Sequence, residues 1–528
     1  MPGQRDDRHT RRRHPDQGRM HLCGIRHLPE PPSRQLTVAR RDQMTTLKTD
    51  APVVGLWIGG ERRTQGSGGT HDHVNPATGL VGSTIPLAGA AEVDEAVAIA
   101  DRAFASWRNT APAQRQALLF KLADLVEANA AKFGELSARE NGSPIMIATT
   151  MVGKVVEWIR YYAGWPGKID GQVTGTYGPD GVFSYTLPQP LGVIGAIITW
   201  NGPLMSLAMK VPAALAAGNT VVVKPSELTP YTGELFAELI SCAGFPPGVV
   251  QVLPGTAEAG GALASHPLVR KVSFTGGPDT ARKILHACAE NMTPTVLELG
   301  GKSANIILDD ADLDSACSHG VMMGIGLLSG QGCSFPTRML ANRTIYDEVI
   351  KRAKTLAESI VVGDPMAPET MSGPVVSRPS FDRILAVIEQ AKRDGARLIT
   401  GGGPLNRPGL GGYYLQPTVF ADVDPDSALA QNEVFGPVLA ISVFDTDEEA
   451  IAIANNSRYG LSGYVHTKDL RRAHVIAEGI RTGEVLINGA LNLAANQPFG
   501  GVGVSGFGKE GGRDGIYEFL NMKSVAIN

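Results

Sequence analysis

The stretch from Gly192 to Glu227 reads GVIGAIITWNGPLMSLAMKVPAALAAGNTVVVKPSE. Its runs Gly192–Ile198 and Thr220–Val223 are rich in Val and Ile, and the pattern between them predicts a helix near Leu204–Ala217. Apolar strand-like runs joined by a helix are typical of a parallel sheet covered on both faces. Such sheets bind ligands beyond the carboxyl ends of their strands, so polar residues after these runs are candidates for a ligand site.

The alternation of strands and helices continues on both sides of this stretch. Downstream, the sequence predicts a helix at Thr229–Ala243, a strand at Val249–Leu253, a helix at Ala257–Ser265, a strand at Lys271–Phe274 and a helix at Pro278–Ala289. Upstream, it predicts strands at Val53–Ile58, Leu80–Ile85 and Val182–Leu187, and helices at Ala91–Trp107, Pro112–Asn129 and Ala131–Asn141. A second alternation runs from Ala304 to Val485, with helices at Tyr346–Ser359, Ser380–Asp394, Asp447–Asn455 and Leu470–Gly479. We therefore expect an α/β protein with a doubly wound parallel-sheet domain and a second α/β domain.

Bulk composition restricts the class of protein. A chain of 528 residues is too long for one core, and 43% hydrophobic with 19% charged residues is ordinary for a globular enzyme. A net charge of −4 gives no general attraction to nucleic acid, and no apolar run is long enough to cross a bilayer. The five cysteines form no CxxC pair, which favours free thiols in a reducing compartment, the cytoplasm.

The first 48 residues differ from the rest of the chain. They hold ten Arg and one Lys against four Asp and one Glu, a net charge of +6, without any apolar periodicity. We interpret residues 1–43 as a disordered or mis-assigned extension, with Met44 opening the folded protein. A basic arm that binds nucleic acid is the alternative.

Cys333 is the candidate nucleophile. It lies in the stretch Ser329–Ser334, SGQGCS, whose glycines and small polar residues offer backbone N–H groups and open space rather than core packing. Glu298, thirty-five residues upstream in ELGGKS, is a candidate base. A nucleophile and a base together indicate covalent catalysis.

Seven motifs follow one another along the chain: Thr199-Trp200-Asn201-Gly202-Pro203, Val223-Lys224-Pro225-Ser226-Glu227, Phe274-Thr275-Gly276-Gly277, Glu298-Leu299-Gly300-Gly301-Lys302, Gly330-Gln331-Gly332-Cys333, Glu433-Val434-Phe435-Gly436-Pro437 and Pro498-Phe499-Gly500-Gly501. Together they resemble the landmarks of the aldehyde dehydrogenase superfamily, in that family's order. The resemblance runs from about Leu56 to the C-terminus. Each motif alone is weak, but seven in order are specific.

The resemblance implies oxidation of an aldehyde to its carboxylic acid through a thiohemiacetal and a thioester on Cys333. The amide of Asn201 and the backbone N–H of Cys333 would hold the oxyanion, and Glu298 would activate the hydrolytic water. Because family members that acylate coenzyme A generally lack this glutamate, its presence favours hydrolysis. Lys210 and Glu510 match positions in a supporting proton-relay network of the family.

Each of these residues also has a plain structural interpretation. Asn201 could cap the helix that opens at Pro203. Glu298 could lie in a surface turn, and Glu510 could be a solvated charge in a loop. Lys210 could pack its aliphatic part against the protein while its amine reaches solvent. The resemblance decides for catalysis at Asn201.

NAD is the expected cofactor. Lys224 and Glu227 follow a buried strand, where a carboxylate can accept hydrogen bonds from the adenosine ribose and repel a 2′-phosphate. Charges after a strand are usually only solvated, so this assignment rests on the family resemblance at Lys-Pro-Ser-Glu. The resemblance assigns Glu433 to the nicotinamide ribose and Phe435 to the ring, with core packing as the alternative for Phe435. The expected cofactor residues are Thr199, Trp200, Lys224, Ser226, Glu227, Gly255, Gly276, Gly277, Leu299, Glu433 and Phe435. No metal site is expected.

The sequence departs from the family pattern at three positions. Gly277 stands where a serine commonly contacts the pyrophosphate, which leaves backbone donors at the helix start before Pro278. Gly202 and Leu493 stand where aromatic residues commonly narrow the substrate tunnel, whose wall also includes Phe499. We therefore expect a wide tunnel for the aldehyde.

The family fold implies three parts. The NAD-binding domain would comprise residues 44–171 and 190–298, the catalytic domain residues 299–505, and the bridging segments 172–189 and 506–528 would join subunits into a homodimer or homotetramer. No nucleic acid or membrane partner is expected. Two alternatives stay open: an NADP-linked semialdehyde dehydrogenase, and a non-catalytic structural protein on the same fold.

Overall fold

A computed structural model describes residues 52–174 and 183–527. The extension predicted at residues 1–43 lies outside these residues, as does Val182 at the start of one predicted strand. The helices are α1 (Ala90–Trp107), α2 (Pro112–Ala128), α3 (Ala130–Asn141), α4 (Ile145–Ala163), α5 (Pro203–Ala217), α6 (Pro230–Ala243), α7 (Ala257–Ser265), α8 (Pro278–Ala289), α9 (Leu313–Ser318), α10 (Tyr346–Ser359), α11 (Arg378–Arg393), α12 (Ala428–Gln431), α13 (Asp447–Asn455), α14 (Leu470–Gly479) and α15 (Gly512–Tyr517).

Within the described residues, the strands fall into four sheets. In chain order they are β1 (Leu56–Ile58), β2 (Glu61–Arg63), β3 (Thr70–Asn75), β4 (Leu80–Pro86), β5 (Val173–Thr174), β6 (Phe183–Pro190), β7 (Val193–Ile197), β8 (Thr220–Lys224), β9 (Val250–Val252), β10 (Val269–Thr275), β11 (Thr295–Glu298), β12 (Ala304–Ile307), β13 (Arg338–Asn342), β14 (Arg397–Thr400), β15 (Thr418–Ala421), β16 (Val438–Phe444), β17 (Ser462–His466), β18 (Glu484–Ile487), β19 (Gly506–Phe507) and β20 (Leu520–Ile527).

The first sheet contains the stretch that predicted the fold. Its order is β19-β11-β10-β7-β8-β9-β1-β2, with β11, β10, β7, β8 and β9 parallel and the outer strands antiparallel. Strands β7 and β8 are buried along their whole length because helices cover both faces. The expected doubly wound parallel sheet is confirmed, and the carboxyl ends of its central strands lie along one edge.

The second sheet confirms the expected second α/β unit. Its order is β14-β15-β16-β13-β12-β17-β18, and every pair is parallel except β14 with β15. The buried faces of this sheet pack against helices α10, α11, α13 and α14. The segment that carries Cys333 enters this sheet at β13.

Two small antiparallel sheets complete the fold: β3 with β4, and β20-β6-β5. The strand predicted at Val182–Leu187 extends to Pro190 as β6, and residues 506–507, which we expected in a bridging segment, pair with β11 in the first sheet. The sequence analysis assigned no helix to Ile145–Ala163, which forms α4. Across residues 52–174 and 183–527, no helix has both the length and the apolar character required to span a membrane.

Candidate active site

A mostly apolar cavity of about 180 Å³ lies beyond the carboxyl ends of β7, β10 and β11. Helices α3, α4 and α5 and the segment before β13 form its walls. Eight of the predicted site residues line it: Thr199, Asn201, Gly202, Glu298, Cys333, Leu493, Phe499 and Glu510. Its charged lining residues are Glu298 and Glu510, so the space itself suits an uncharged molecule.

Cys333 is presented to this cavity by a strained segment. Leu328 and Ser329, shortly before it, adopt left-handed φ values of 49° and 54°, which non-glycine residues rarely do. Gln331 holds the segment in place: its Nε2 donates to the Leu328 carbonyl (3.0 Å), and its Oε1 accepts from the Val376 backbone N–H (3.0 Å). Such strain at a cavity wall is typical of functional sites.

Burial, together with the nearby carboxyl groups of Glu433 and Glu298, raises the pKa of the Cys333 thiol to about 12. The thiol is therefore protonated at neutral pH. A nucleophilic attack from this cysteine needs a step that removes the proton.

The Asn201 side chain is fixed at both ends. Its Oδ1 accepts a hydrogen bond from the Thr199 hydroxyl (2.8 Å), and its Nδ2 donates to the Gln331 carbonyl (2.8 Å). The N-cap of α5 is Gly202, and no side chain caps that helix end, so the interpretation of Asn201 as a helix cap is wrong. A primary amide has two N–H groups, and one of them stays available to a ligand in the cavity.

Glu298 ends β11 and is only 3% exposed, so it does not lie in a surface turn. Neither of its carboxylate oxygens has a hydrogen-bond partner within the described residues. Burial raises its pKa well above the usual range, and the charge of Glu510 adds to this effect. A buried carboxyl group with a raised pKa and no such partner, lining a cavity, is suited to accept a proton from water.

Lys210 and Glu510 form a buried ion pair, so neither is the solvated charge that the structural interpretation predicted. Lys210 Nζ also donates to the Ser273 hydroxyl (3.0 Å), which lies 3.3 Å from a Glu510 carboxylate oxygen. Helix α5, strand β10 and the C-terminal segment are thereby joined next to Glu298.

A second group of predicted residues lies at the end of β8. Lys224 is the last residue of that strand, and its Nζ lies 3.9 Å from the Glu227 carboxylate, beyond hydrogen-bond distance. Burial lowers the pKa of Lys224. The Ser226 hydroxyl accepts from the Leu228 backbone N–H (3.2 Å), which shapes the turn that presents Glu227.

The glycines follow the neighbouring strands. The backbone N–H of Gly276 donates to the Glu298 carbonyl (3.1 Å), and Gly277 is the N-cap of α8. A Cβ built at Gly277 would meet nothing within 4 Å, whereas one at Gly255 would lie 2.6 Å from the Ala259 side chain. Open space and free N–H groups therefore adjoin the start of α8, which is the arrangement that binds phosphate.

Glu433, Phe435 and Trp200 form a third group. The Gly301 backbone N–H donates to Glu433 (3.0 Å), and burial raises the pKa of this carboxyl to about 7. Phe435 has a left-handed φ of 52° and meets Trp200 edge to face at 5.3 Å between ring centroids. Leu299 is buried, and its backbone N–H bonds the Ser505 carbonyl (3.0 Å).

The predicted tunnel residues lie on the cavity wall. A Cβ at Gly202 would approach only the Met205 side chain, at 3.9 Å, so the space beside this glycine is open. Leu493 has a left-handed φ of 45°, and its carbonyl accepts from the Trp158 indole (2.7 Å). Phe499 is buried and pairs with the backbone of Glu510.

Several residues of the site were not predicted. Gln331 was quoted only as part of a motif, although it holds both Asn201 and the strained segment. Thr275 and Ser206 line the cavity, as do residues of α4 that no predicted element contained. Within the residues described, no group of three or more metal-binding side chains occurs.

Comparisons with known proteins agree with this geometry. The model of the aldehyde dehydrogenase family matches residues 63–525. The chain is 41% identical over 495 residues to an aldehyde dehydrogenase from Alternaria alternata, covering 92% of this chain and 98% of that protein. It is 40% identical over 478 residues to aldehyde dehydrogenase, cytosolic 1 from Rattus norvegicus, covering 89% and 94%. The NAD⁺ complex of aldehyde dehydrogenase from Bacillus cereus superposes with a TM-score of 0.87 at 40% identity, covering 90% and 97%.

Proposed function

This chain belongs to the aldehyde dehydrogenase family, and we propose that it oxidises an aldehyde to the carboxylic acid with NAD as the cofactor and Cys333 as the nucleophile. One observation carries the proposal. Cys333, Asn201 and Glu298 come from three separate parts of the chain and line a single cavity. A non-catalytic protein on the same fold has no need of this combination.

The first step is addition of the Cys333 sulfur to the aldehyde carbon. The thiol proton passes to solvent water, a carbon–sulfur bond forms as the carbonyl π bond breaks, and the carbonyl oxygen becomes an oxyanion. The second N–H of the Asn201 amide and the backbone N–H of Cys333 would hold this oxyanion. Because Thr199 and Gln331 fix the Asn201 side chain, the donor needs little reorganisation, and losing such a donor typically costs about 10²–10³ in rate.

The second step releases the acid. A bound NAD would supply a hydride acceptor for the thiohemiacetal carbon, and an acyl thioester on Cys333 would then remain. Glu298 would then take a proton from water as the water attacks the acyl carbon, and the thiolate of Cys333 would leave. General-base catalysis of this kind contributes about 10²–10⁴ in rate. The Lys210–Glu510 pair, next to Glu298, would pass the proton onward.

The residues present fit a dinucleotide. Open space at Gly277 and the free N–H groups at the start of α8 suit a pyrophosphate, and backbone donors replace the serine that the family often has there. Lys224 and Glu227 would bind the adenosine ribose, and Glu433 the nicotinamide ribose. Ser226, Gly255, Gly276 and Leu299 would shape the backbone around the dinucleotide, and Thr199, Trp200 and Phe435 would border the nicotinamide.

NAD is proposed over NADP because a Glu227 carboxylate that accepted hydrogen bonds from the adenosine ribose would repel the 2′-phosphate of NADP. Initial rates with both cofactors test this preference. Wild-type enzyme should be faster with NAD, and Glu227→Gln should narrow the difference by removing the like-charge repulsion. Equal rates with both cofactors in the wild type would contradict the assignment.

Replacing Cys333 tests the proposed function itself. Cys333→Ala should abolish aldehyde-dependent NADH formation while NADH still binds, as measured by fluorescence titration, because the proposed cofactor contacts lie elsewhere. Cys288→Ala is the matched control, since Cys288 is buried in α8 outside the cavity. An alanine variant at position 333 that turns over at the wild-type rate would exclude the mechanism.

We also propose that the protein is a homodimer or homotetramer. The β20-β6-β5 sheet exposes the apolar residues Phe183, Leu187, Met522 and Ile527, which is uncommon on the surface of a monomer. The mass in solution, from light scattering, tests this directly. The proposed NAD-binding part remains residues 44–171 and 190–298, and the proposed catalytic part residues 299–505. The proposed bridging segments remain residues 172–189 and 506–528.

The thiols fit a reducing compartment. Cys288, Cys317 and Cys333 are free cysteines, and burial raises the pKa of Cys317 to about 12 and that of Cys288 to about 11. We therefore propose the cytoplasm as the location.

A further inference from the structure

The Ser206 hydroxyl is a polar group in the cavity wall that the proposed chemistry does not use. Ser206 is only 4% exposed and lines the cavity. Its Oγ has no hydrogen-bond partner among residues 52–174 and 183–527. A buried hydroxyl without a partner is unfavourable, because folding removes its bonds to water.

Several other polar groups of the cavity have partners within the described residues. Asn141 bonds both Ser143 and the Trp200 carbonyl, and Thr199 and Asn201 bond one another. Lys210 and Glu510 form their own ion pair. Unlike Glu298, Ser206 is a neutral group with no assigned step in the reaction.

Ser206 belongs to one face of helix α5. Gly202, Met205, Ser206 and Met209, with three- and four-residue spacing, all line the cavity. Ser206 follows Gly202 by one helical turn, about 6 Å along the axis at 1.5 Å per residue. Since Asn201 directly precedes Gly202, Ser206 lies about one helical turn further along α5 than the residue proposed to hold the oxyanion.

The surrounding wall favours a ring. Phe133, Phe335 and Phe499 line the cavity together with Met205 and Met209. Aromatic and methionine side chains pack well against aromatic rings. Ser206 places a hydroxyl group on the same helix face as Met205 and Met209.

Resting on the proposed function, we propose that the substrate is a ring-bearing aldehyde with an oxygen substituent remote from the aldehyde group, and that Ser206 is the specificity residue that hydrogen-bonds this oxygen. A serine hydroxyl can donate and accept, so a hydroxyl or ether oxygen satisfies it. The competing arrangement is a local one, in which the hydroxyl turns to the Gly202 carbonyl four residues back. In that arrangement Ser206 does not hydrogen-bond the substrate.

Matched substrate pairs separate these arrangements. The substrates are 4-(hydroxymethyl)benzaldehyde with 4-ethylbenzaldehyde, and the two 3-substituted isomers, which differ in hydrogen bonding while having similar size. The measured quantity is the ratio of kcat/KM for the hydroxymethyl compound to that for the ethyl compound. The ratio cancels the intrinsic reactivity of each aldehyde when variants are compared.

Ser206→Ala should lower this ratio about tenfold for one of the isomers, which is the usual effect of one neutral hydrogen bond. Ser206→Thr should retain the ratio because the hydroxyl remains. Ser137→Ala is the matched control, since Ser137 is another hydroxyl in the same cavity, and it should leave the ratio unchanged.

Three results would overturn the proposal: an unchanged ratio in Ser206→Ala for both isomers, an equal loss in Ser137→Ala, or oxidation of acetaldehyde with none of the ring-bearing aldehydes accepted. In each case the enzyme still oxidises an aldehyde, so the proposed function stands. If the wild type fails to reduce NAD with every aldehyde tested, the proposed function is contradicted as well.

Discussion

At the scale of single residues, the site combines a buried nucleophile with a buried base. The pKa of Cys333 and that of Glu298 are both raised, chiefly by removal from water, and the Glu298 charge further disfavours a thiolate. Ionising both groups at once in one cavity is unfavourable because their charges repel. The thiol proton of Cys333 must therefore leave as the sulfur attacks the aldehyde, or a change in the groups around Cys333 must lower its pKa before the attack.

This predicts the pH dependence of Cys333 alkylation. A thiol whose pKa is raised to about 12 stays protonated far above neutral pH. In cofactor-free enzyme, iodoacetamide labelling of Cys333 should accelerate about tenfold per pH unit between about pH 7 and pH 10, without a plateau. Labelling is followed by peptide mass spectrometry, with free cysteine as the reference. A plateau below about pH 9 would show an activated thiolate.

Motifs predicted which residue types meet in the site, but not how they are held. Cys333, Asn201 and Glu298 were predicted because their motifs resemble a known family. The hydrogen-bond partners of Asn201 could not be predicted, because its bond to the Gln331 carbonyl joins residues that are 130 positions apart in the sequence. Ser206 gives no sequence signal at all, because a serine in an apolar helix is ordinary, and only the cavity shows where its hydroxyl lies.

At the scale of elements, the start of α5 determines the width of the cavity. Gly202 has space beside it, and the helix face that follows carries Met205 and Met209. An aromatic side chain at position 202 would fill that space. Long or ring-bearing aldehydes gain contacts there at about 0.8 kcal/mol per buried methylene, whereas acetaldehyde gains almost none.

Gly202→Phe should therefore lower kcat/KM for benzaldehyde about tenfold or more, with a much smaller effect on acetaldehyde. Gly202→Ala is the control, because a Cβ fits 3.9 Å from Met205 and should change neither substrate much. The steady-state rates of NADH formation measure both. Equal losses for the two aldehydes would contradict the wide cavity.

The Lys210–Glu510 pair joins α5 to the segment that leads into α15. Lys210→Met should reduce the free energy of unfolding by about 3–5 kcal/mol, because it leaves the Glu510 charge buried and unpaired. Lys210→Met with Glu510→Leu should recover most of the loss, since no unpaired charge remains. Denaturant titration measures both variants, and a single variant as stable as the wild type would refute the coupling.

Elements with a clear periodicity of apolar residues were predicted, whereas elements whose conformation depends on packing or pairing with other elements were not. Helices α7, α8, α10, α13 and α14 begin and end at the predicted residues. Helix α4 was missed: its Ile, Val and Thr residues favour strands locally, and burial against α2, α3 and α5 overrides that preference. Strand β3, THDHVN, is polar, and its pairing with β4 determines its conformation.

At the scale of the whole molecule, the two large, mainly parallel sheets contribute different residues to the site. The carboxyl ends of the first sheet carry Glu298 and the proposed cofactor residues other than Glu433 and Phe435, which precede β16 of the second sheet. The segment entering the second sheet at β13 carries Cys333. The sequence predicted both sheets because buried strands alternate with helices throughout. It did not predict that β19 returns to the first sheet, since a two-residue strand has no pattern of its own.

Removal of residues 1–43 should leave activity and melting temperature essentially unchanged, because the family match begins at residue 63 and the basic segment lacks apolar periodicity. The truncated chain starting at Met44 is compared with the full chain by thermal denaturation and NADH formation. A truncated protein that fails to fold or to assemble would assign the segment a structural role.

The central claim is that the acyl group passes through a thioester on Cys333 that Glu298 helps to hydrolyse. The most direct measurement is mass spectrometry of Glu298→Gln mixed with benzaldehyde and NAD. The amide keeps the size of Glu298 but cannot take a proton from water, so the acyl-enzyme should accumulate after a burst of NADH. The account predicts a benzoyl adduct on the peptide that contains Cys333, absent without NAD. A burst of NADH with no adduct, or with an adduct on another residue, would contradict it.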